Sequence, residues 1–424
     1  MEGYHPITRA TFNVTRACNL RCSYCFTHGC TYGRMSWETA RDGINFLVKN
    51  AIDGNQSTIE VSFWGGEPLL EWELIQRMLE HTRRVAPAGM KIDFGGTTNG
   101  LLLTPEKFDV CDEYRLGFMV SIDGTAKTHD RFRKTILGHG SHAIVAKNCR
   151  IALQRWPWLK ARFSPSVESV PDFFDDAKYL YELGFKHLMF SPVHEGDWNE
   201  DLYKSMEEQS YKLIDWMVDQ NKAGQKLSME HFNTYVGNDG SQWPCGAGRF
   251  YVGIDIDGGI YPCHRFCKFN DPRPWHEREV AIGHVVAGIT NPDFRDGFIR
   301  WKAGCEGSKN ASKCWTSSPC HGGCYAVNYD LTGDIHTPAP SICLYVAMQM
   351  RVSEYYKAHG LAAPKKRRTN NGRGCICHNM CYAENTEDEI IDLDPTTKST
   401  CTCNNARYMG PMTPGVSRSL VEKE

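Results

Sequence analysis

The chain has 424 residues, of which 41% are apolar and 23% charged, and its formal net charge is −2. That length allows a large catalytic domain with one or two smaller modules, and the apolar share excludes a disordered chain. The near-neutral balance gives no global field for nucleic acid or an anionic membrane.

The N-terminus lacks a basic start with an apolar run, and no later stretch is long enough to span a bilayer, so a cytoplasmic protein is expected. Nineteen cysteines in a reducing compartment then point to metal or redox chemistry rather than to disulfides. Short runs rich in β-branched and aromatic residues predict strands at 7–15, 58–64, 91–97, 114–122, 159–166 and 187–192. Between them, 36–51, 71–85, 105–113, 141–154 and 171–183 are predicted helices, several opened by a capping serine or a first-turn proline. This alternation specifies a parallel sheet with crossover helices, open or curled toward a barrel. Such sheets carry their chemistry at the carboxyl ends of the strands. Four unusual segments fall there: Cys18 to Cys25, Gly65-Gly66-Glu67-Pro68, Thr97-Thr98-Asn99-Gly100 and Ser121-Ile122-Asp123-Gly124.

A helical connector near 201–223 follows, and from Trp243 to Cys343 the rhythm gives way to Gly, Pro and Cys. That composition suits a small domain organised by metal rather than by a large core. Residues 342–360 read as a helix, followed by Pro364-Lys365-Lys366-Arg367-Arg368 and a polar tail holding Cys375, Cys377, Cys381, Cys401 and Cys403. Those five thiols suit a further metal site, an electron relay, reactive groups on a flexible arm or an imitation of a cysteine-rich substrate. The basic run suits a solvated linker or a holder for an acidic leader peptide.

Cys18-Asn19-Leu20-Arg21-Cys22-Ser23-Tyr24-Cys25 sets three thiols on one loop after the first strand. Three thiolates bind three irons of a 4Fe-4S cube and leave the fourth iron open. A zinc knuckle completed by His28 or Cys30 is the alternative. The spacing of Cys18, Cys22 and Cys25 resembles the radical S-adenosylmethionine (SAM) superfamily. The resemblance implies that the open iron chelates the amino and carboxylate groups of SAM, whose cleavage gives a 5′-deoxyadenosyl radical. It places Tyr24 near the adenine, Gly65 and Gly66 where backbone approaches the ligand, and Glu67 as an acceptor for the ammonium. Ser121 and Asp123 resemble residues lining the ribose side, and Arg162 is expected to pair with the methionine carboxylate. For each of these alone, a packed or solvated structural residue is the plain alternative.

The implied fold is α/β, a partial (β/α)6 TIM-like barrel over residues 1–200. A helical connector occupies 201–240, a cysteine-rich domain 241–350, and a helix with the polar tail 351–424. Within the cysteine-rich domain, Cys245, Gly258-Gly259-Ile260-Tyr261-Pro262-Cys263, Cys305, Cys314, Cys320, Cys324 and Cys343 resemble the SPASM domain of radical enzymes that mature peptides and proteins. The resemblance implies two auxiliary 4Fe-4S clusters, an inner one on Cys245, Cys263 and Cys324 and an outer one on Cys305, Cys314, Cys320 and Cys343. Eight residues separate Cys305 from Cys314, where the family usually has two, and no cysteine lies between Cys149 and Cys245 to complete the inner set. Either Cys267 closes the inner cluster, or its open iron binds and deprotonates a substrate thiol. Structural zinc sites are the alternative.

Two activities are expected from these resemblances. Thioether- or carbon–carbon-crosslinking peptide maturases share the Tyr261-Pro262-Cys263-His264-Arg265-Phe266 and Cys245-Gly246-Ala247-Gly248 segments. Anaerobic sulfatase-maturing enzymes, which make formylglycine, carry an Asp base after the cysteine matching Cys263, where this chain has His264. His264 is accordingly the candidate base. Only seventeen residues precede Cys18, so a peptide leader is expected to dock elsewhere or on a separate protein. The expected partners are a ribosomal peptide or protein substrate and a flavodoxin- or ferredoxin-type electron donor, with neither nucleic acid nor membrane. An iron-sulfur electron carrier or a zinc-dependent interaction module is the reading from another class.

Overall fold

A computed structural model describes residues 5–27, 33–234, 245–300, 320 and 322–361. The chain opens with β1 (Arg9–Thr15), β2 (Leu20–Cys22), α1 (Trp37–Asp53), β3 (Thr58–Gly65), α2 (Trp72–Val85) and β4 (Lys91–Thr98). Next come α3 (Phe108–Tyr114), β5 (Leu116–Ser121), α4 (Ala126–Phe132), β6 (Arg133–Thr135), α5 (His142–Arg155), β7 (Lys160–Phe163), α6 (Phe173–Leu183) and β8 (His187–Phe190). The remainder holds α7 (Glu200–Lys222), β9 (Ser228–Met229), β10 (Tyr251–Ile254), β11 (Gly259–Tyr261), β12 (Gly283–His284), β13 (Gly288–Ile289), α8 (Pro292–Ile299), α9 (Tyr325–Thr332) and α10 (Pro340–Ala358).

Local chemistry sets the element ends. The Ser36 hydroxyl accepts the Thr39 amide at 3.0 Å to open α1, and the Asn199 side chain does the same for Leu202 at 2.9 Å ahead of α7. The strand expected at 114–122 starts later, because Tyr114 still belongs to α3 and Arg115 closes that helix in the left-handed region at φ 54°.

The barrel strands run parallel in the order β1-β3-β4-β5-β7-β8-β9, with β1 holding Phe12 level with Phe63 of β3. Both phenylalanines are fully buried, as they must be in a parallel sheet covered on both faces. The architecture is α/β, a partial TIM-like barrel. Its curl is visible from chemistry at its rim. Arg265, just past β11, forms an ion pair with Glu195, just past β8, although seven strand positions separate β11 from β8 along the sheet.

The cysteine-rich region does more than follow the barrel. β10 pairs in parallel with β1, Thr11 opposite Gly253, and β11, β12 and β13 extend the same sheet antiparallel. The region also has an aromatic core of its own, in which the Phe298 ring meets Phe266 at 5.9 Å and Tyr325 at 5.1 Å. α10 returns to α7 through an Arg351–Glu207 ion pair of 2.6 Å and a Tyr355 hydroxyl donating to Asp215 at 2.9 Å. Among the described residues no helix is long and apolar enough to cross a membrane.

Candidate active site

β1 ends at Thr15 and delivers Arg16 and Ala17 directly to Cys18, while Cys22 lies in β2, level with Arg133 of β6. Cys18, Cys22 and Cys25 are each half-buried. The Leu20 amide donates to Cys18 Sγ at 3.4 Å, the Asn99 side-chain amide approaches the same sulfur at 3.7 Å, and Thr27 Oγ1 sits 3.1 Å from Cys25 Sγ. His28 and Cys30 lie outside the described residues.

The glycine loop is pressed against this segment. Gly66 donates to Thr15 O at 2.8 Å and Glu67 to Ala17 O at 2.9 Å. A Cβ on Gly66 would stand 2.1 Å from Ala17 O, and one on Gly65, whose φ is +151°, 2.3 Å from Thr15 O. Both contacts are with backbone, so no side-chain movement relieves them. Gly66→Ala is therefore expected to displace residues 15–18 and destabilise the fold by about 1–3 kcal/mol. The checks are a lowered melting temperature and reduced iron uptake after anaerobic reconstitution, and unchanged values for both would refute the steric argument.

Glu67 is 1% exposed and accepts from the Leu69 amide (3.1 Å), Thr98 Oγ1 (2.7 Å) and the Asn99 amide (2.7 Å). Burial pushes its pKa up to about 7 against those three donors. The carboxylate thus braces the β3 loop against the β4 loop, and Asn99 carries the brace on to Cys18 and to Asn19 Oδ1 at 2.7 Å.

Ser121 ends β5 level with Arg162 of β7. Asp123 is buried behind them, its oxygens taken by Arg133 Nε at 2.8 Å, Arg133 Nη2 at 3.2 Å, the Ser164 amide at 3.0 Å and the Tyr24 hydroxyl. Tyr24 is thereby pinned between the last two cysteines of the loop and the β5 end. Arg162 has a buried Nε with no partner among the described residues, and burial first, then Arg265 and Arg133, lower its pKa.

The second cysteine group faces the first across aromatic rings. Phe26, next to Cys25, stacks on Trp64 at 5.6 Å, and His264, next to Cys263, meets the Trp64 ring at 5.0 Å and the Phe26 ring at 6.2 Å. The His264 Nδ1 lies 2.7 Å from the Tyr251 hydroxyl. Burial, with Arg162 and Arg265 adding to it, pushes the imidazole pKa down to about 3, so it is neutral and a weaker base than an ordinary histidine. Cys245, Cys263 and Cys324 are close enough to perturb one another electrostatically, with Cys263 buried and Cys245 and Cys324 exposed. Cys267 is buried near Cys263, Asp255 and Asp257. The Gly322 amide donates to the buried Cys320 at 3.4 Å, Cys343 lies on α10, and Cys305, Cys314 and the five tail cysteines lie outside the described residues. Among the described residues no three His, Cys, Asp or Glu side chains converge on a single metal ion.

Residues 12–158, which hold the three-cysteine loop, the glycine loop and Asp123, match the radical SAM superfamily. The chain carries a radical SAM domain. A radical SAM cyclopropyl synthase of Paramaledivibacter caminithermalis is 30% identical over 129 residues, a match spanning 27% of each chain. A cysteine-type anaerobic sulfatase-maturating enzyme of Clostridium perfringens is 24% identical over 346 residues, covering 75% of this chain and 89% of the relative. The structure of native anSMEcpe with bound AdoMet and Cp18Cys peptide superposes with a TM-score of 0.65 at 20% identity, covering 84% of this chain and 99% of that one, which shows a shared fold. The cofactors of a radical SAM domain are a 4Fe-4S cluster and SAM. The donor set fits them, since three thiols share one loop, an amide and a carboxamide point at Cys18 Sγ, and the glycines leave backbone bare beside it.

Sequence reasoning missed Arg133, Arg16, Asp255, His194 and His231. Each is a single polar residue without motif spacing. Asp255 alone left a signal, as a charge between Ile254 and Ile256 at the end of the apolar run Val252-Gly253-Ile254.

Proposed function

We propose that this radical SAM chain is a peptide maturase that builds a thioether or carbon–carbon crosslink in a ribosomally made peptide. When bound, the cluster supplies one electron, drawn from a flavodoxin- or ferredoxin-type donor, to cleave SAM into methionine and a 5′-deoxyadenosyl radical that takes a hydrogen atom from the substrate. Cys18, Cys22 and Cys25 hold the first cluster, with Gly65 and Gly66 letting backbone close on the methionine end. Tyr24, Ser121 and the Asp123–Arg133 pair shape the adenosine side, and Arg162 faces the carboxylates.

The observation that carries this reading is the 6.2 Å approach of the Phe26 and His264 rings. The residues next to Cys25 and Cys263 thus share one aromatic wall. A peptide lying along that wall reaches both cysteine groups, and Trp64, Phe26 and Phe269 exclude water from it. Cys245, Cys263 and Cys324 are proposed to hold the inner auxiliary cluster, and Cys305, Cys314, Cys320 and Cys343 the outer. Formylglycine formation is the second reading, favoured by the long match to the sulfatase-maturating relative.

The test is anaerobic. The wild type and a Cys18→Ala/Cys22→Ala/Cys25→Ala variant are reconstituted, their iron counted, and 5′-deoxyadenosine assayed with dithionite and SAM. The variant is expected to lose about four irons per chain, keep the remainder and make only background 5′-deoxyadenosine. Zinc in the wild type, or iron without 5′-deoxyadenosine, sinks the proposal. With a peptide in hand, crosslinking removes two hydrogens from it, one as the atom taken by the radical and one as a proton whose electron an auxiliary cluster would accept, whereas formylglycine formation on a cysteine removes two hydrogens, exchanges sulfur for oxygen and leaves an aldehyde.

A further inference from the structure

Beside the aromatic wall, four buried nitrogen atoms have no hydrogen-bond partner among the described residues: Arg162 Nε, His194 Nδ1, His231 Nδ1 and Arg265 Nε. They come from four places in the chain, namely β7, the loop after β8, the single turn Glu230–Asn233 after β9, and the segment after Cys263. The same ends of the curled sheet that the Arg265–Glu195 pair ties together bring them to one seam. They act on one another electrostatically, His231 with Arg162 and His194, and His194 with Arg265 and Arg162. Neighbouring rings hold them in place: Tyr345 lies 5.2 Å from His194, Phe190 lies 5.0 Å from His231, and the Arg265 guanidinium sits 4.4 Å from the centre of the Phe26 ring.

Native interiors pair nearly all of their buried polar atoms, and a buried guanidinium without a carboxylate costs several kcal/mol. Here the carboxylates at the seam, Glu195 and Asp330, both pair with Arg265 through its Nη2 atom. Arg162 and the two imidazoles are left for something that is not part of this chain's described residues. The methionine carboxylate of SAM cannot satisfy them all. If the open iron held that carboxylate, as the family resemblance implies, few acceptor sites would remain on it for nitrogen atoms from four separate elements.

We propose that Arg162, His194, His231 and Arg265 form an anion pocket at the barrel seam that takes a carboxylate of the peptide substrate. This rests on the reading of the substrate as a peptide. The pocket holds an acidic side chain or the peptide C-terminus while the residue to be modified lies against Trp64 and Phe26. An acidic residue at a fixed distance from the reacting position is thus a recognition element of the substrate.

The probe is glutarate, with uncharged glutaramide at matched ionic strength as the control, added to anaerobically reconstituted full-length enzyme already saturated with SAM. Glutarate at tens of millimolar is expected to raise the melting temperature by roughly 2–4 °C over glutaramide. His231→Phe and His194→Phe are expected to abolish that increment. Iron content and the melting temperature without glutarate establish that each variant is folded. No increment in the SAM-saturated wild type overturns the proposal. So does an increment seen only without SAM, since the methionine carboxylate then fills the pocket. The same preparations are assayed for 5′-deoxyadenosine. Wild-type enzyme that makes it but ignores glutarate sinks the pocket alone, whereas wild-type enzyme that makes none sinks the proposed function.

Discussion

Asp123→Asn is expected to destabilise the chain by about 3–5 kcal/mol at neutral pH, because it leaves the Arg133 guanidinium buried without a counter-charge. Asp123 is 2% exposed and Arg133 8%. Asparagine keeps the shape, and its oxygen still accepts from Tyr24 or the Ser164 amide, but its amide hydrogens face the guanidinium. The loss therefore reads charge rather than packing. A second variant, Asp123→Leu with Arg133→Met, separates the two, since replacing both partners by apolar groups is expected to recover most of the stability. If the double variant is no more stable than Asp123→Asn, the cost lies in side-chain shape.

The pH dependence follows from the same pair. Burial alone would raise the Asp123 pKa, but the Arg133 charge and its two hydrogen bonds outweigh it and hold the carboxyl below its ordinary value. A carboxylate whose folded pKa is depressed stabilises the fold above its unfolded pKa of about 4 and loses that contribution as pH falls through the folded value. The difference between wild type and Asp123→Asn should be complete at pH 7 and shrink below about pH 4. Tyr24 provides a local readout, because its hydroxyl hangs on the same carboxylate.

The parallel strands were legible because burial on both faces leaves short, continuous apolar runs. The run expected at 58–64 is the strand Thr58–Gly65, and that at 187–192 contains the strand His187–Phe190. The chemistry was legible where it is local in sequence, as at Cys18 to Cys25 and Gly65-Gly66-Glu67. The four strands β10 to β13 were not. Each has two to four residues, and glycines at 253, 259, 283 and 288 remove the side chains that would show a period. What makes them strands is pairing with residues far away, Gly253 with Thr11 above all. The seam residues were hidden for a similar reason: His194 and His231 carry no pattern until the curl of the sheet brings them toward Arg162. His264 was visible as a titratable residue beside Cys263, but its depressed pKa depends on burial and on two arginines, one of them about a hundred residues away.

That long-range pairing has a centre that can be broken. Asp255, which follows β10, is fully buried, and its carboxylate gathers four donors from three parts of the chain. Arg16 Nη2 reaches Oδ2 at 2.6 Å and Arg278 Nη1 at 3.3 Å, while Asn13 Nδ2 reaches Oδ1 at 2.5 Å and the Ile256 amide at 2.9 Å. Arg278 also donates to the Tyr261 hydroxyl at 2.8 Å, two residues before Cys263, and Arg16 lies two residues before Cys18. One carboxylate therefore anchors the approach to both cysteine groups. Asp255→Asn leaves two buried guanidinium groups facing one uncharged amide, and a loss of about 3–5 kcal/mol is expected. Hydrogen–deuterium exchange should accelerate together in residues 16–25 and 259–267. If the carboxylate served only its own turn, exchange would rise around residue 255 while the two cysteine segments kept their protection. The joint response is expected because, among the described residues, Arg16 and Arg278 have no second carboxylate of comparable burial to turn to, so freeing either arginine loosens the segment that carries it.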